Sequence, residues 1–329
     1  MGGNGHKVVE TMNSVGFLFP GQGAQSVGMG KDLCENFPAA KAVFDRADQL
    51  LGYSLSQICF EGPEDQLTRT LYAQPAIYVM SLAALAVLNE KFPGMKPVFS
   101  AGLSLGEWTA LAAAGALSWE EGLKLVHIRA QAMEEAAQKY PGTMASALGL
   151  SLDLCQEAAA EAGCQIANLN SPDQTVFSGA IEAVSKVIPI AESKGAKRVI
   201  PLKVGGAFHS ELMKEAQLTL AEALQSVQLK SPSGVFVPNA TAQKVSDPAE
   251  IKDLLAKQVT SSVRWVETMG QAEKSEAKLF IEVGPGKVLK GLARKCGLTQ
   301  TVEPCGTKDD LEKLELLLKA QASQNDLNN

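Results

Sequence analysis

The segment Gly102-Leu103-Ser104-Leu105-Gly106 sits between an apolar stretch, Pro97-Val98-Phe99-Ser100-Ala101, and a run of helix formers, Glu107-Trp108-Thr109-Ala110-Leu111-Ala112-Ala113-Ala114. Read together, these are a strand, a tight turn and a helix with a serine at the apex, the layout of a nucleophile elbow. The two glycines have a mechanical job, because a serine on so sharp a turn needs neighbours without side chains on both flanks. The turn presents the hydroxyl outward and places the backbone N–H of Leu105 at a helix N-terminus, where unpaired donors and the helix dipole favour a developing oxyanion. With 29 glycines in the chain, a G-x-S-x-G also arises by chance, and a turn that merely packs is the alternative reading.

At 329 residues, with 46% hydrophobic and 20% charged, the chain can bury a sizeable core and exceeds the usual size of a single one. One large unit carrying a smaller one is expected. The net charge of −6, without a basic tail or Lys/Arg runs interleaved with aromatics, argues against nucleic acid as a partner. The six cysteines form no C-x-x-C pair and no zinc-like spacing, so neither disulfides nor a metal is expected. The first fourteen residues lack the apolar core of a signal peptide and the arginines of a transit peptide. No run approaches the length of a membrane span, and no membrane association is expected.

Strand-like and helix-like segments alternate along the chain, which is α/β organisation. Strands are expected over 15–19, 235–238 and 278–283, and helices over 74–92, 119–140, 211–227 and 248–258. Between 142 and 204 the rhythm shortens to β-α-β-β-α-β, with strands over 144–150, 165–169, 175–178 and 198–204 and helices over 152–162 and 181–193. That order is ferredoxin-like and closes its own small sheet. The expected division is a large unit over 15–141 and 205–305, a small inserted unit over 142–204, and terminal extensions over 1–14 and 306–329. The polar tail from 321 is expected to fray.

A serine nucleophile needs a base, and the chain has only His6, His127 and His209. His6 lies in the polar leader. At about 100° per residue, His127 shares a helix face with Glu120, Lys124, Gln131, Glu134 and Gln138, a solvated face. His209, in Gly205-Gly206-Ala207-Phe208-His209-Ser210, lies where the chain returns from the small unit, a natural rim for a site between units. The alternative for His209 is a capping or core histidine. On the same helix as His127, Arg129 has Gly122, Leu125, Val126, Ala132, Met133 and Ala136 within about 60° of it, so it points inward. Ser118-Trp119-Glu120-Glu121 forms a capping box that fixes where this helix starts. A buried guanidinium needs a partner, either a protein carboxylate in an internal salt bridge or the carboxylate of a ligand.

Two glycine-containing turns complete the pattern. Phe19-Pro20-Gly21-Gln22-Gly23 ends the first strand, and its backbone can approach a ligand closely, which makes the Gln22 N–H a candidate second oxyanion donor. Gly284-Pro285-Gly286 leads into a helix on which Lys287, Lys290, Arg294 and Lys295 make one basic face. Such a face is either simply solvated or a surface that steers an acidic protein partner.

From 17 to about 298 the chain resembles the malonyl-CoA:acyl carrier protein transacylases. The motifs occur in order: FPGQGAQ at 19–25, GLSLGE at 102–107, the helix arginine at 129, NLNSP at 168–172, GAFHS at 206–210, KQVTSSVRW at 257–265 and EVGPGKVLKG at 282–291. The resemblance implies an α/β-hydrolase-like large subdomain with a parallel sheet and an inserted ferredoxin-like small subdomain. It implies Ser104 as the acylated nucleophile, His209 as its base and Arg129 as the ligand of the malonyl carboxylate. The N–H groups of Gln22 and Leu105 become the oxyanion hole. A backbone carbonyl near Gln258, in place of an aspartate, orients the histidine. Many members have His where this chain has Leu103, and that residue is not the base. Phe208 resembles the residue found in malonyl-selective polyketide acyltransferases.

The implied activity is ping-pong transfer of malonyl from malonyl-CoA to the phosphopantetheine thiol of acyl carrier protein, through a malonyl-Ser104 intermediate, in fatty acid biosynthesis. No cofactor is implied, since malonyl-CoA is a substrate. The acyl carrier protein is the implied partner, with Lys287, Lys290, Arg294 and Lys295 as its docking face. A monomer in the cytoplasm, or in the plastid stroma, is the implied setting. The alternatives are a discrete polyketide-synthase acyltransferase and an α/β-hydrolase-type serine hydrolase. The latter needs an acid between Ser104 and His209 in the chain and has no use for an inward arginine.

Overall fold

The computed structural model describes residues 14–327, with side chains from 14 to 320. His6 and the leader up to residue 13 lie outside the described residues, as do the side chains of the tail from 321. Strand β1 (Val15–Phe19) is followed by helices α1 (Lys31–Asn36), α2 (Pro38–Leu51), α3 (Leu55–Glu61), α4 (Glu64–Thr68) and α5 (Thr70–Lys91). Next come β2 (Phe99–Gly102), α6 (Gly106–Ala113) and α7 (Trp119–Lys139). The middle of the chain is β3 (Gly142–Leu148), α8 (Leu152–Ala162), β4 (Gln165–Ser171), β5 (Gln174–Ala180), α9 (Ile181–Ser193) and β6 (Arg198–Pro201). A 3-10 turn, Glu211–Met213, leads into α10 (Lys214–Gln225), β7 (Val235–Phe236), α11 (Pro248–Gln258) and α12 (Trp265–Glu273). The chain ends with β8 (Leu279–Val283), α13 (Val288–Lys295), β9 (Thr301–Cys305) and α14 (Lys308–Leu327).

Two sheets result. The larger is entirely parallel, in the order β7-β2-β1-β8-β9. Parallel strands are covered on both faces, and β1 accordingly has no exposed residue. Val15, Phe17 and Phe19 enter the main core, while Leu18 points to the other side with Phe99, Trp265 and Phe280. Gly16 is flat against the ring of Phe280, which meets Phe99 edge-on with centroids 5.7 Å apart. The smaller sheet is antiparallel, in the order β4-β5-β3-β6. Ala145, Ala147 and Phe177 on one of its faces pack against Cys155, Ala158 and Ala162 of α8 and Val184, Val187 and Ala191 of α9. This is the ferredoxin-like arrangement inserted in a parallel α/β scaffold. The two units are joined where Leu169 N donates to Val263 O (2.9 Å) and Val263 N donates to Ala167 O (2.8 Å).

Several expectations need correction. Residues 31–68 hold four helices that were not among those expected: three have five to seven residues, and the fourth, α2, has fourteen, but each buries only one to three side chains. Helix α5 begins at Thr70, a turn before Gln74, and carries Pro75 inside it. It is the one helix among the described residues long and apolar enough to cross a membrane, and it is enclosed in the core. The helix expected over 211–227 is a 3-10 turn followed by α10. His127 is half-buried, not solvated: its ring lies 6.1 Å from that of Tyr53, and its Nδ1 has no hydrogen-bond partner. A helical wheel places a residue on its own helix and is blind to the α2–α3 connection that covers this flank. The stretch 306–329 is no mere extension, since Leu311, Leu314 and Leu318 of α14 are part of the main core and Lys91 of α5 pairs with Glu315 at 2.9 Å. Its apolar residues match a core face to which β9 and α1 contribute.

Gly102 and Gly106 are where this architecture is least forgiving. A Cβ on Gly102 would overlap the backbone of Gly106, and one on Gly106 would overlap the carbonyl of Phe19. Gly270, inside α12, has open space around it. Gly102→Ala is therefore expected to destabilise the fold by about 3 kcal/mol or more, whereas Gly270→Ala is expected to be neutral or to stabilise by about 0.5–1 kcal/mol. Urea unfolding of both variants checks the contrast, and similar midpoints for the two would contradict it.

Candidate active site

Ser104 occupies the turn between β2 and α6 with φ 52, a left-handed conformation that non-glycine residues rarely adopt. Asn239, in the loop after β7, holds this turn: its Oδ1 accepts from Ser104 N (2.6 Å) and its Nδ2 donates to Gly102 O (2.7 Å). The elbow is thus tied on both flanks by one fully buried side chain.

His209 follows β6 and also has a positive φ, 59. The hydroxyl of the next residue, Ser210, accepts from Leu212 N and starts the 3-10 turn, so the histidine is anchored by a cap directly behind it. Ser104 Oγ lies 2.8 Å from His209 Nε2. On the other side of the ring, Nδ1 is 3.0 Å from Gln258 O and 3.2 Å from Ser261 O. Carbonyl oxygens only accept, so Nδ1 carries the proton and Nε2 is left to accept from Ser104. Burial, and then the charge of Arg129, push His209 down to about 4, which keeps the imidazole neutral at pH 7.

Arg129 is fully buried, as its helix phase demands. Among the described residues no carboxylate lies within ion-pair distance of it. It donates to uncharged oxygens instead: Nη1 to Gln74 Oε1 (2.5 Å), and Nη2 to Gln258 Oε1 (2.9 Å) and Ser104 Oγ (3.0 Å). Nε has no partner. Burial pulls the guanidinium down to about 10, still cationic at neutral pH. The internal salt bridge is therefore not the arrangement found, and the guanidinium has capacity for an incoming anion.

Among the described residues, the backbone N–H groups of Gln22 and Leu105 have no acceptor. Both residues line the same cavity as Ser104, Arg129 and His209, an opening of 360 Å³ between the two sheets. A Cβ on Gly21 would overlap the Leu103 carbonyl, so the 20–23 loop can come this close to the elbow only with glycine there. Met133, Met144, Val176 and Phe208 give the cavity its apolar walls. Leu103 packs with the core on the Phe280 side of the large sheet. Of the six expected residues, Ser104, His209, Gln22, Leu105 and Arg129 line this cavity, and Gln258 lies buried behind it in contact with Arg129 and His209.

Three residues of this network escaped sequence reasoning. Gln74 and Asn239 are uncharged amides with no motif-like spacing, and only the position of Asn239 at the end of a strand offered a signal. Glu107, inside the elbow motif, is fully buried and accepts from Asn239 N (2.8 Å) and Gln258 Nε2 (2.7 Å). Burial raises its carboxyl to about 7. The basic face on α13 is less bare than its sequence: Lys287 pairs with Asp310 (3.5 Å), Lys290 with Glu303 (3.1 Å) and Lys295 with Asp173 (3.8 Å). Arg294 is exposed and has no ion pair among the described residues. Glu282 of β8 holds this helix in place, accepting from Leu289 N and Lys290 N at 2.8 Å each.

Residues 16–327 match the acyl transferase domain family. The chain is 41% identical over 320 residues to the malonyl CoA-acyl carrier protein transacylase of Bacillus subtilis, covering 96% of this chain and 99% of that one. Its structure resembles that of the acyl-carrier-protein-S-malonyltransferase from Bartonella henselae, with a TM-score of 0.88, 39% identity, and coverage of 93% of this chain and 99% of that one. It also resembles a malonyl-transacylase in complex with its type II PKS acyl-carrier protein, with a TM-score of 0.87, 33% identity, and coverage of 91% and 98%. With the elbow, the histidine and the inward arginine in one cavity, the chain belongs to the malonyl-CoA:acyl carrier protein transacylase family of acyl transferases.

Proposed function

We propose that Ser104, His209 and Arg129 divide the work of malonyl transfer from malonyl-CoA to acyl carrier protein, the step that supplies malonyl units to fatty acid synthesis. The observation that carries this reading is a nucleophile–base pair at 2.8 Å with a buried, carboxylate-free guanidinium 3.0 Å from the same hydroxyl. His209 Nε2 takes the Ser104 proton as Oγ attacks the malonyl thioester carbonyl. The oxyanion accepts from the Gln22 and Leu105 N–H groups. Collapse breaks the C–S bond, and His209 returns the proton to the CoA sulfur. The phosphopantetheine thiol of the carrier then gives its proton to His209, attacks the ester carbonyl, and Ser104 leaves with that proton.

Arg129 selects the cargo. Its fork binds the free carboxylate of malonyl, a group that acetyl lacks, and an acetyl group leaves the charge without an anion. The carbonyls of Gln258 and Ser261 do for His209 what an acid does in a hydrolase triad. That weighs against the serine-hydrolase alternative, which wants a carboxylate on Nδ1. The carrier docks against α13, in our reading. Val288 and Leu292 of that helix line the cavity, and Lys287, Lys290, Arg294 and Lys295, at its N-cap and along it, are the charges we assign to the carrier. Arg294, the one without an ion pair among the described residues, is the first of these to meet an acidic partner. We propose a monomer working in the cytoplasm.

Mixing the protein with malonyl-CoA is expected to give a covalent adduct of malonyl mass by intact-mass spectrometry, absent in Ser104→Ala and discharged by holo acyl carrier protein; no adduct would refute the transferase reading. Arg129→Ala should lower kcat/KM for malonyl-CoA by about 100-fold or more while changing acetyl-CoA transfer by less than about threefold. Equal losses for both thioesters would remove Arg129 from its role. Acylation by the neutral ester p-nitrophenyl acetate reads His209 without involving a carboxylate. Since only neutral His209 can accept the serine proton, the rate should be level from about pH 6 to 8 and fall in acid with the pKa of about 4 set by burial. A midpoint at an ordinary histidine value would contradict the structure.

A further inference from the structure

Glu107 stands on the first turn of α6, fully buried beneath the elbow. Its Oε2 accepts both of its hydrogen bonds, from Asn239 N at 2.8 Å and from Gln258 Nε2 at 2.7 Å, while its Oε1 has no partner. A single neutral carbonyl oxygen would accept the same two bonds, so the geometry does not require a carboxylate. Burying one where an amide would serve is costly. What the carboxylate adds is negative charge, one amide away from Arg129. Gln258 stands between them with its nitrogen on Glu107 and its oxygen on Arg129 Nη2 at 2.9 Å.

We propose that Glu107 is the resident counter-charge of Arg129, a specificity-determining residue that competes with an incoming malonyl carboxylate for the guanidinium and yields by taking a proton from solvent onto Oε1. The inference rests on the reading of Arg129 given above. In the empty site the pair balances, which lets a guanidinium stay buried without a direct ion pair. A malonyl carboxylate brings a second negative charge into the same low-dielectric pocket, and two carboxylates cannot both remain ionised there without cost. An acetyl group brings none. Acetyl binding is therefore indifferent to the charge on Glu107, and malonyl binding is not.

The charged and titratable groups around this pair are Arg129 on α7 and His209 in the loop after β6. Their ionisations lie at about 10 and about 4, so neither changes charge near neutrality. Glu107, raised by burial to about 7, does. Below that value it is neutral and Arg129 is unbalanced, which favours the malonyl carboxylate. Above it the charge returns and malonyl is held less tightly.

The test measures affinities for malonyl-CoA and acetyl-CoA by calorimetry in the Ser104→Ala protein, which binds without turning over. The ratio of malonyl to acetyl affinity is expected to fall by about tenfold between roughly pH 6 and pH 8. Taking the ratio cancels the ionisation of the CoA phosphates. In Ser104→Ala/Glu107→Gln the ratio should be level and stay at the high, acidic value. A level ratio in Ser104→Ala, or an equal fall in both proteins, would overturn the proposal. So would a malonyl affinity weakened by Glu107→Gln, because then the carboxylate only scaffolds Arg129. If the double variant does not fold, proton uptake by Ser104→Ala at pH 7 decides: uptake with malonyl-CoA and none with acetyl-CoA supports the proposal, and equal uptake with both refutes it. A malonyl preference that ignores pH removes Glu107 alone. Absence of any preference removes the Arg129 reading and this proposal with it.

Discussion

A guanidinium buried without a carboxylate in contact is the interaction around which the rest of this structure is arranged. Removing a charge from water costs several kcal/mol, and amide and hydroxyl oxygens return only part of that. The oxygens that hold Arg129 come from three directions: Gln74 from α5, Gln258 from α11 and Ser104 from the elbow. Each must be delivered by a helix or turn that is rigid for other reasons. Helix α5 is rigid because it is almost wholly buried, and Tyr78 on it donates to the carbonyl of Trp119 at the start of α7, fixing the arginine's own helix against it. The apolar core therefore sets the direction of the guanidinium as much as the polar groups do.

The strain in the site is concentrated at the two residues we assign as nucleophile and base. Ser104 and His209 both have positive φ, and each is over-determined by its neighbours: Gly102, Gly106 and Asn239 around the serine, and the Ser210 cap behind the histidine. The two residues arrive from opposite sides of the cavity, and 2.8 Å between Oγ and Nε2 leaves little room for error. What holds them in register is the tie between β4 and Val263. Ser261, whose carbonyl orients His209, lies two residues before that tie. The small sheet is thus part of the catalytic geometry and not only a wall of the pocket.

Much of this was legible in the sequence because it depends on local periodicity and on a few residue types. The elbow could be read from its glycines, the inward direction of Arg129 from the apolar stripe of α7, and the small unit from its shortened rhythm of strands and helices. The candidate for the base followed from scarcity, with His209 the one histidine at a suitable rim. Features created by tertiary packing were not legible. His127 reads as solvated on its own helix because the residues that cover it, around Tyr53, are some seventy positions earlier in the chain and leave no periodic trace beside it. Helix α14 looks like a polar tail because its apolar residues make sense only against a core face. Gln74 and Asn239 are neutral amides, and nothing in a linear sequence distinguishes an amide that holds a charge from one that faces water.

Glu107 marks the boundary between these two kinds of information. Its position beside Gly106 is visible in the motif, yet a glutamate on the first turn of a helix reads as an ordinary complement to the helix dipole. Only burial gives it another meaning, since an enclosed carboxylate with one unpartnered oxygen has to be balanced by something. The balance is Arg129, reached through Gln258, whose backbone carbonyl also orients His209. One residue of α11 therefore touches both Arg129 and His209, the groups to which we assign recognition of the acyl chain and movement of the proton. In the mechanism we propose, a substrate carboxylate drawn onto Arg129 also bears on the Gln258 amide, and the same residue holds the histidine that accepts the serine proton. Selection of the acyl group and its chemistry share a single support.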